Sequence, residues 1–174
     1  ASKDWDDERY TPAPTSNKDR TVVYTYDALG QLKSKTLKQV SYQRLKPDNK
    51  AYETDTKDLT TTYSYDALGK LTATTDAKGN TAYCYYDALG QLIAKVAPKT
   101  SEGRGATTYA YDALGHLIET RRWAQGALEA DEWHFALKGA SNKDVITQEE
   151  YDASGQPMAQ SDGLNHKVYY SYDA

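Results

Sequence analysis

Tyr-Asp-Ala-Leu-Gly stands at residues 26–30 and recurs word for word at 65–69, 86–90 and 111–115. A fifth copy, at 151–155, reads Tyr-Asp-Ala-Ser-Gly, and a sixth begins at Tyr172 and runs to the last residue, Ala174. A stretch repeated this often is architecture: a catalytic centre needs one constellation, and a wall needs many like units. Its chemistry names the unit. Asp at the first corner and Gly at the fourth is the preference of a type I turn. The Asp carboxylate accepts a hydrogen bond from the N–H two residues on, and Gly takes positive φ with no Cβ penalty. A type I turn closed by a left-handed Gly is a short hairpin connection with a G1 bulge. Tyr26, Asp27 and Gly30 are therefore read as structural turn residues. So are Tyr65, Asp66 and Gly69; Tyr86, Asp87 and Gly90; Tyr111, Asp112 and Gly115; and Tyr151, Asp152 and Gly155.

The flanks read as strands. Tyr24-Thr25-Tyr26, Tyr63-Ser64-Tyr65, Tyr109-Ala110-Tyr111 and Tyr170-Ser171-Tyr172 precede their turns. Tyr and Thr at period two suit a pleated, half-buried surface. Leu32, Leu71, Leu92 and Leu117 follow at one fixed offset from the motif Tyr. The cleanest unit is residues 65–86. The turn 66–69 leads to a strand over 70–75, a looser turn at 76–79, and a return strand over 80–86. The expected fold class is all-β, an antiparallel meander of such hairpins. Residues 1–20 are polar, with Pro12 and Pro14, and read as an irregular lead-in with a short strand near Arg9 and Tyr10. The repeat region takes up residues 21–174. Because the last repeat is cut short, the chain is expected to be part of a longer one.

Elsewhere the pattern predicts a strand over 31–42, with Leu32, Ser34 and Thr36 on one face and Lys33 and Lys35 on the other. A loop at 46–50, an ambiguous polar stretch at 51–58 and a strand over 59–65 follow. Residues 98–105 are a longer turn. Residues 117–123 are a strand, Gln125-Gly126 a turn, and 128–137 a second strand, with a helix as the competing reading. A loop over 139–143 precedes strands at 145–151, near Met158 and at 166–172. Pro157 cannot donate to a ladder, so its strand is expected at an edge or a bulge. Motif tyrosines are 39, 21, 25, 40 and 21 residues apart. The long intervals read as two fused short units in which the motif has decayed.

Composition bounds the function. There are 16 Tyr against one Phe and one Met, and the mean hydropathy is −0.84. Tyr must supply much of the apolar area, each hydroxyl reaching a partner or water. That fits a thin sheet better than a thick aliphatic core. The net charge of −4 carries no basic block, which disfavours nucleic acid as a partner. No run approaches the roughly 20 apolar residues of a membrane span. The single Cys84 rules out an intrachain disulfide and reads as a small buried side chain. The repeated Asp lacks an EF-hand frame, and His116, His134 and His166 are too far apart for a zinc spacing. No catalytic, cofactor or metal residue is assigned, and no cofactor is expected. Trp123 and Trp133, with nearby Tyr, leave open an aromatic platform for sugars, since flat rings stack on pyranose faces.

Tyr-x-Tyr-Asp-x-x-Gly-x-Leu at a spacing near twenty resembles the YD repeat of the Rhs family, over residues 21–174. Related shells occur in the BC components of insecticidal toxin complexes and in teneurins. The resemblance implies strands of one long sheet that spirals into a hollow shell enclosing a C-terminal toxin before delivery. It implies no enzymatic activity for this segment, a bacterial secreted or cell-surface location, and the rest of the shell and a toxin domain as partners. The family's self-cleaving Asp-Pro-x-Gly stretch is absent, so no protease residues carry over. Ser154 and Pro157 depart from the motif. The alternative reading is a surface module that binds glycans or cell-surface proteins through its Tyr and Trp faces.

Overall fold

A computed structural model describes residues 20–45 and 52–173. The regular elements of the described residues are all strands: β1 (Val22–Tyr26), β2 (Leu32–Leu45), β3 (Tyr52–Tyr65), β4 (Leu71–Thr75), β5 (Thr81–Tyr86), β6 (Leu92–Val96), β7 (Arg104–Tyr111), β8 (Leu117–Ala130), β9 (Phe135–Leu137), β10 (Val145–Tyr151), β11 (Pro157–Ser161) and β12 (Lys167–Tyr169). They form one antiparallel sheet in chain order, with β9 off the path and paired to β8. The readings for residues 1–19 and 46–50 lie outside the described residues.

One bulge recurs. Register shifts fall between Thr25 and Tyr26, Ser64 and Tyr65, Tyr85 and Tyr86, Ala110 and Tyr111, and Glu150 and Tyr151. Each lies immediately before a motif turn, where a left-handed Gly adds one residue to the hairpin. In place of a thick core, much of the sheet is held by hydroxyl pairs. Thr25 meets Ser34 at 2.6 Å, Thr36 meets Thr60 at 2.9 Å and Thr75 meets Thr81 at 2.8 Å. A small apolar cluster sits on the same face further along. Tyr85, Ala94, Val96, Ala106 and Ala127 are buried, with Trp123, Phe135 and Leu137 packed on them.

Four expectations are corrected. The interval from Tyr26 to Tyr65 is not two fused units but one hairpin of two 14-residue strands. No Gly lies between Gly30 and Gly69, so no further Asp-x-x-Gly turn divides the interval into two units. A bulge there, after Leu37, is closed by Asp58, which accepts from the Gln39 N–H at 3.0 Å and from Lys38 Nζ at 2.7 Å. Gln125-Gly126 is not a turn but a bend inside the continuous β8. Its bulge frees the Ala124 N–H, which donates to Asp144 Oδ1 at 2.9 Å, while Arg121 pairs with Asp144 Oδ2 at 2.8 Å. Residues 128–137 are neither one strand nor a helix: Asp131 turns the chain by accepting from the N–H groups of Trp133 and His134, both at 2.8 Å. Cys84 is half-buried rather than buried. Pro157 sits at the bulge facing Tyr151 but not at an edge, because β12 pairs beyond it.

The turn ladder as candidate functional site

The motif turns all lie along one rim of the sheet. At 65–69, the Gly69 N–H donates to the Asp66 carbonyl at 3.0 Å and the Asp66 N–H donates to the Lys70 carbonyl at 2.9 Å. Asp66 Oδ1 accepts from Leu68 N–H at 2.9 Å and Lys70 N–H at 2.8 Å. Asp27, Asp87, Asp112 and Asp152 repeat all four bonds. Gly69 has φ +81, which a β-branched residue resists. The turns opposite are equally tight. Asp76 and Asp162 make the same bonds, and Asn165, at φ 65, stands where Gly stands elsewhere.

A second set of bonds joins one turn to the next. The hydroxyl of Tyr65 donates to the Leu32 carbonyl at 3.0 Å, Tyr86 to Leu71 at 3.1 Å, Tyr111 to Leu92 at 3.0 Å and Tyr172 to Pro157 at 2.9 Å, while Tyr151 shares its one proton between Glu149 Oε2 at 2.6 Å and the Leu117 carbonyl at 3.2 Å. In every case the acceptor lies just beyond the preceding motif turn, whatever the length of chain between. Burial pushes the Tyr86 and Tyr111 hydroxyls up from their ordinary value. Tyr151 is raised to about 12, first by its hydrogen bond to Glu149 and then by burial. These hydroxyls stay protonated and keep donating.

The residue after each Gly supplies a third link, one that reading the sequence missed. A Cβ on Gly69 would meet Gln31 Nε2 at 2.8 Å, one on Gly115 would meet Gln91 Nε2 at 3.0 Å and one on Gly155 would meet His116 Nε2 at 2.9 Å. On Gly90 it would strike the Lys70 stem at 2.6 Å. Lys70 Nζ lies 5.4 Å from the Tyr86 ring centroid, and His116 stacks on Tyr151 at 4.7 Å. The motif Gly thus gives room to the previous repeat as well as a turn. The position recurs but its residue type varies, so only its offset could have signalled it. His116 also bonds Asp112 Oδ2 through Nδ1 at 2.9 Å. Burial favours the neutral Asp112 carboxyl, yet hydrogen bonds from the His116 N–H, its ring and the Leu114 N–H hold it below the ordinary value.

The other sequence candidates are scattered. Trp123 packs into the apolar cluster and donates its Nε1–H to Thr108 at 2.9 Å, whereas Trp133 is 86% exposed in the β8–β9 turn. His134 lies 3.7 Å from Glu129, and His166 is bound to its own turn Asp162 at 2.9 Å. Among the described residues no group of three or more His, Cys, Asp or Glu is placed to hold a metal ion. Chemically the ladder is a clamp. Each motif Asp Oδ1 is engaged by two N–H donors, and each of the five linking Tyr hydroxyls by a carbonyl.

Residues 51–81 and 86–127 match the RHS repeat family. No curated protein sequence matches the chain. The crystal structure of TcdB2-TccC3 aligns with 79% of this chain and 7% of that one, at 18% identity and a TM-score of 0.36. That of TcdB2-TccC3-Cdc42 aligns with 79% of this chain and 9% of that one, at 17% identity and a TM-score of 0.32. The chain thus spans under a tenth of the solved chains it matches. The family match falls on three of the motif turns, at 66–69, 87–90 and 112–115, and on the strands beside them, so residues 51–81 and 86–127 carry RHS repeats.

Proposed function

We propose that this chain is a non-enzymatic wall segment of an Rhs-type shell, which encloses a toxin domain and helps to deliver it. Its partners are the rest of that shell and the enclosed domain, in a secreted or cell-surface bacterial protein. The observation that carries this reading is a sheet that is open and incompletely covered. β1 and β12 each pair on one side only among the described residues. Leu29, Leu68, Leu89 and Leu114, at the tips of the motif turns, are 82%, 79%, 84% and 73% exposed. Turn chemistry needs Asp and Gly there, not Leu. A regular row of exposed leucines on one rim is the surface of something that continues.

The test is electron cryo-microscopy of the full-length protein. The sheet should continue from both edge strands around a closed cavity, with the rim leucines covered. Edges and rim facing solvent in the full-length protein would overturn the reading. The alternative of a sugar-binding aromatic platform lacks such support, since Trp123 is committed to the apolar cluster.

A further inference from the structure

A groove of about 650 Å³ crosses the sheet face opposite the apolar cluster. Its floor is one straight cross-strand row. Cys84 faces Lys95, Lys95 faces Thr107, Thr107 faces Arg122, and Arg122 faces Val145, over β5, β6, β7, β8 and β10. Lys143 overhangs the end of the row. Lys95, Arg122 and Lys143 are exposed, and none has a carboxylate within ion-pair distance among the described residues. No acidic residue lines the groove, although the chain has 25 Asp and Glu against 21 Lys and Arg. Arg121, one residue away on the other face, has its partner in Asp144. The groove is a local reversal of charge with its cations unmatched.

Its dimensions and floor select the occupant. Four interstrand steps span about 19 Å, the length of roughly six extended residues. Beside the cations the groove is lined by small or weakly polar residues, among them Ala82, Cys84, Thr107 and Val145. The nearest rings, Tyr83 and Trp123, pack into the cluster on the opposite face, so no platform is offered for stacking bases or sugars. Burial pushes the Cys84 thiol up, with Lys95 pulling the other way, so it enters the groove as a neutral side chain. We propose that this row binds an extended acidic peptide segment of a protein partner, laid across the strands. The match is one of charge and length, and it does not depend on the shell reading.

The probe is a fluorescein-labelled hexapeptide of alternating Glu and Ala, followed by anisotropy with this chain. It should bind, bind more weakly as salt rises, and slow maleimide alkylation of Cys84 at pH 8. Lys95→Glu with Arg122→Glu should weaken it about tenfold or more. The milder pair Lys95→Thr and Arg122→Thr, which keeps strand-favouring residues, should weaken it in the same direction. Lys33→Glu, outside the groove, should leave affinity unchanged, and a Lys-Ala hexapeptide should not bind. No binding, unprotected Cys84, or equal loss with Lys33→Glu would overturn the proposal. Binding of a sulfated oligosaccharide with none of the peptide would overturn it in favour of a glycan.

Discussion

At the residue scale, two positions carry more than turn chemistry. The motif Gly combines positive φ with contact to the preceding repeat. Gly69→Val should therefore cost roughly 1 kcal/mol or more, read as a lower urea midpoint with unchanged slope. An unchanged midpoint would show that neither the strain nor the Gln31 contact matters. The motif Tyr combines a ring with a hydroxyl that bridges successive turns. Tyr86→Phe keeps the ring and removes the donor, so a loss of about 1 kcal/mol measures the bridge alone. The repeated Asp was legible as a turn residue because its acceptors and donors are local. The hydroxyl bridge was not: Tyr65 to Leu32 crosses 33 residues of chain, and nothing in the sequence gives the register that brings them together.

At the element scale, the bent β8 and short β9 stand apart from the repeat. Gly126 has φ +68, and a Cβ there would lie 1.8 Å from the Arg104 carbonyl oxygen. The bend brings Ala127 and Phe135 over β5, where Phe135 meets Tyr85 at 4.6 Å. The Tyr85 hydroxyl then shares its one proton between the carbonyls of Asp131 at 2.6 Å and His134 at 2.9 Å. Burial, helped by the Asp131 charge, raises that hydroxyl to about 12. Gly126→Ala should undock this hairpin at a cost of about 2 kcal/mol or more. Hydrogen exchange would report it as lost protection in β9 with β1 to β4 unaffected. Uniform loss across the sheet would show that the hairpin is not a separate unit. A Gln-Gly pair reads as a turn in sequence; here backbone crowding against Arg104, a non-local contact, makes it a bend inside a strand.

At the scale of the whole molecule, stability is spread along a line of neighbours rather than gathered in one core. Leu29, Leu68, Leu89 and Leu114 touch little of it. Changing all four to Ser should move the unfolding free energy of this chain by no more than about 0.5 kcal/mol per site. A larger loss would mean that the tips fold back onto the sheet. Acid should act through the turn carboxyls. Asp76 is held below 3.8 first by the Asn80 side chain, Asp131 first by the Trp133 N–H, and Asp162 first by the His166 N–H. A carboxyl depressed in the folded state stabilises it above the unfolded value, and that contribution is lost as pH falls through the folded value. Urea midpoints should thus be flat above about pH 5 and fall below about pH 4. A midpoint rising in acid would contradict these bonds.

The sequence by itself determined the meander, because every device it needs is local. Asp and Gly sit three residues apart, Tyr and Thr alternate, and Leu follows at a fixed offset. It also carried the RHS-repeat match over residues 51–81 and 86–127, since the repetition is the signature. Only the tertiary structure decided what joins one hairpin to the next. The Tyr hydroxyl bridges, the side chain lodged over each following Gly, the β8 bend and the cationic row from Cys84 to Val145 all depend on strand register. Register is set by pairing between residues far apart in the chain, and no local pattern encodes it.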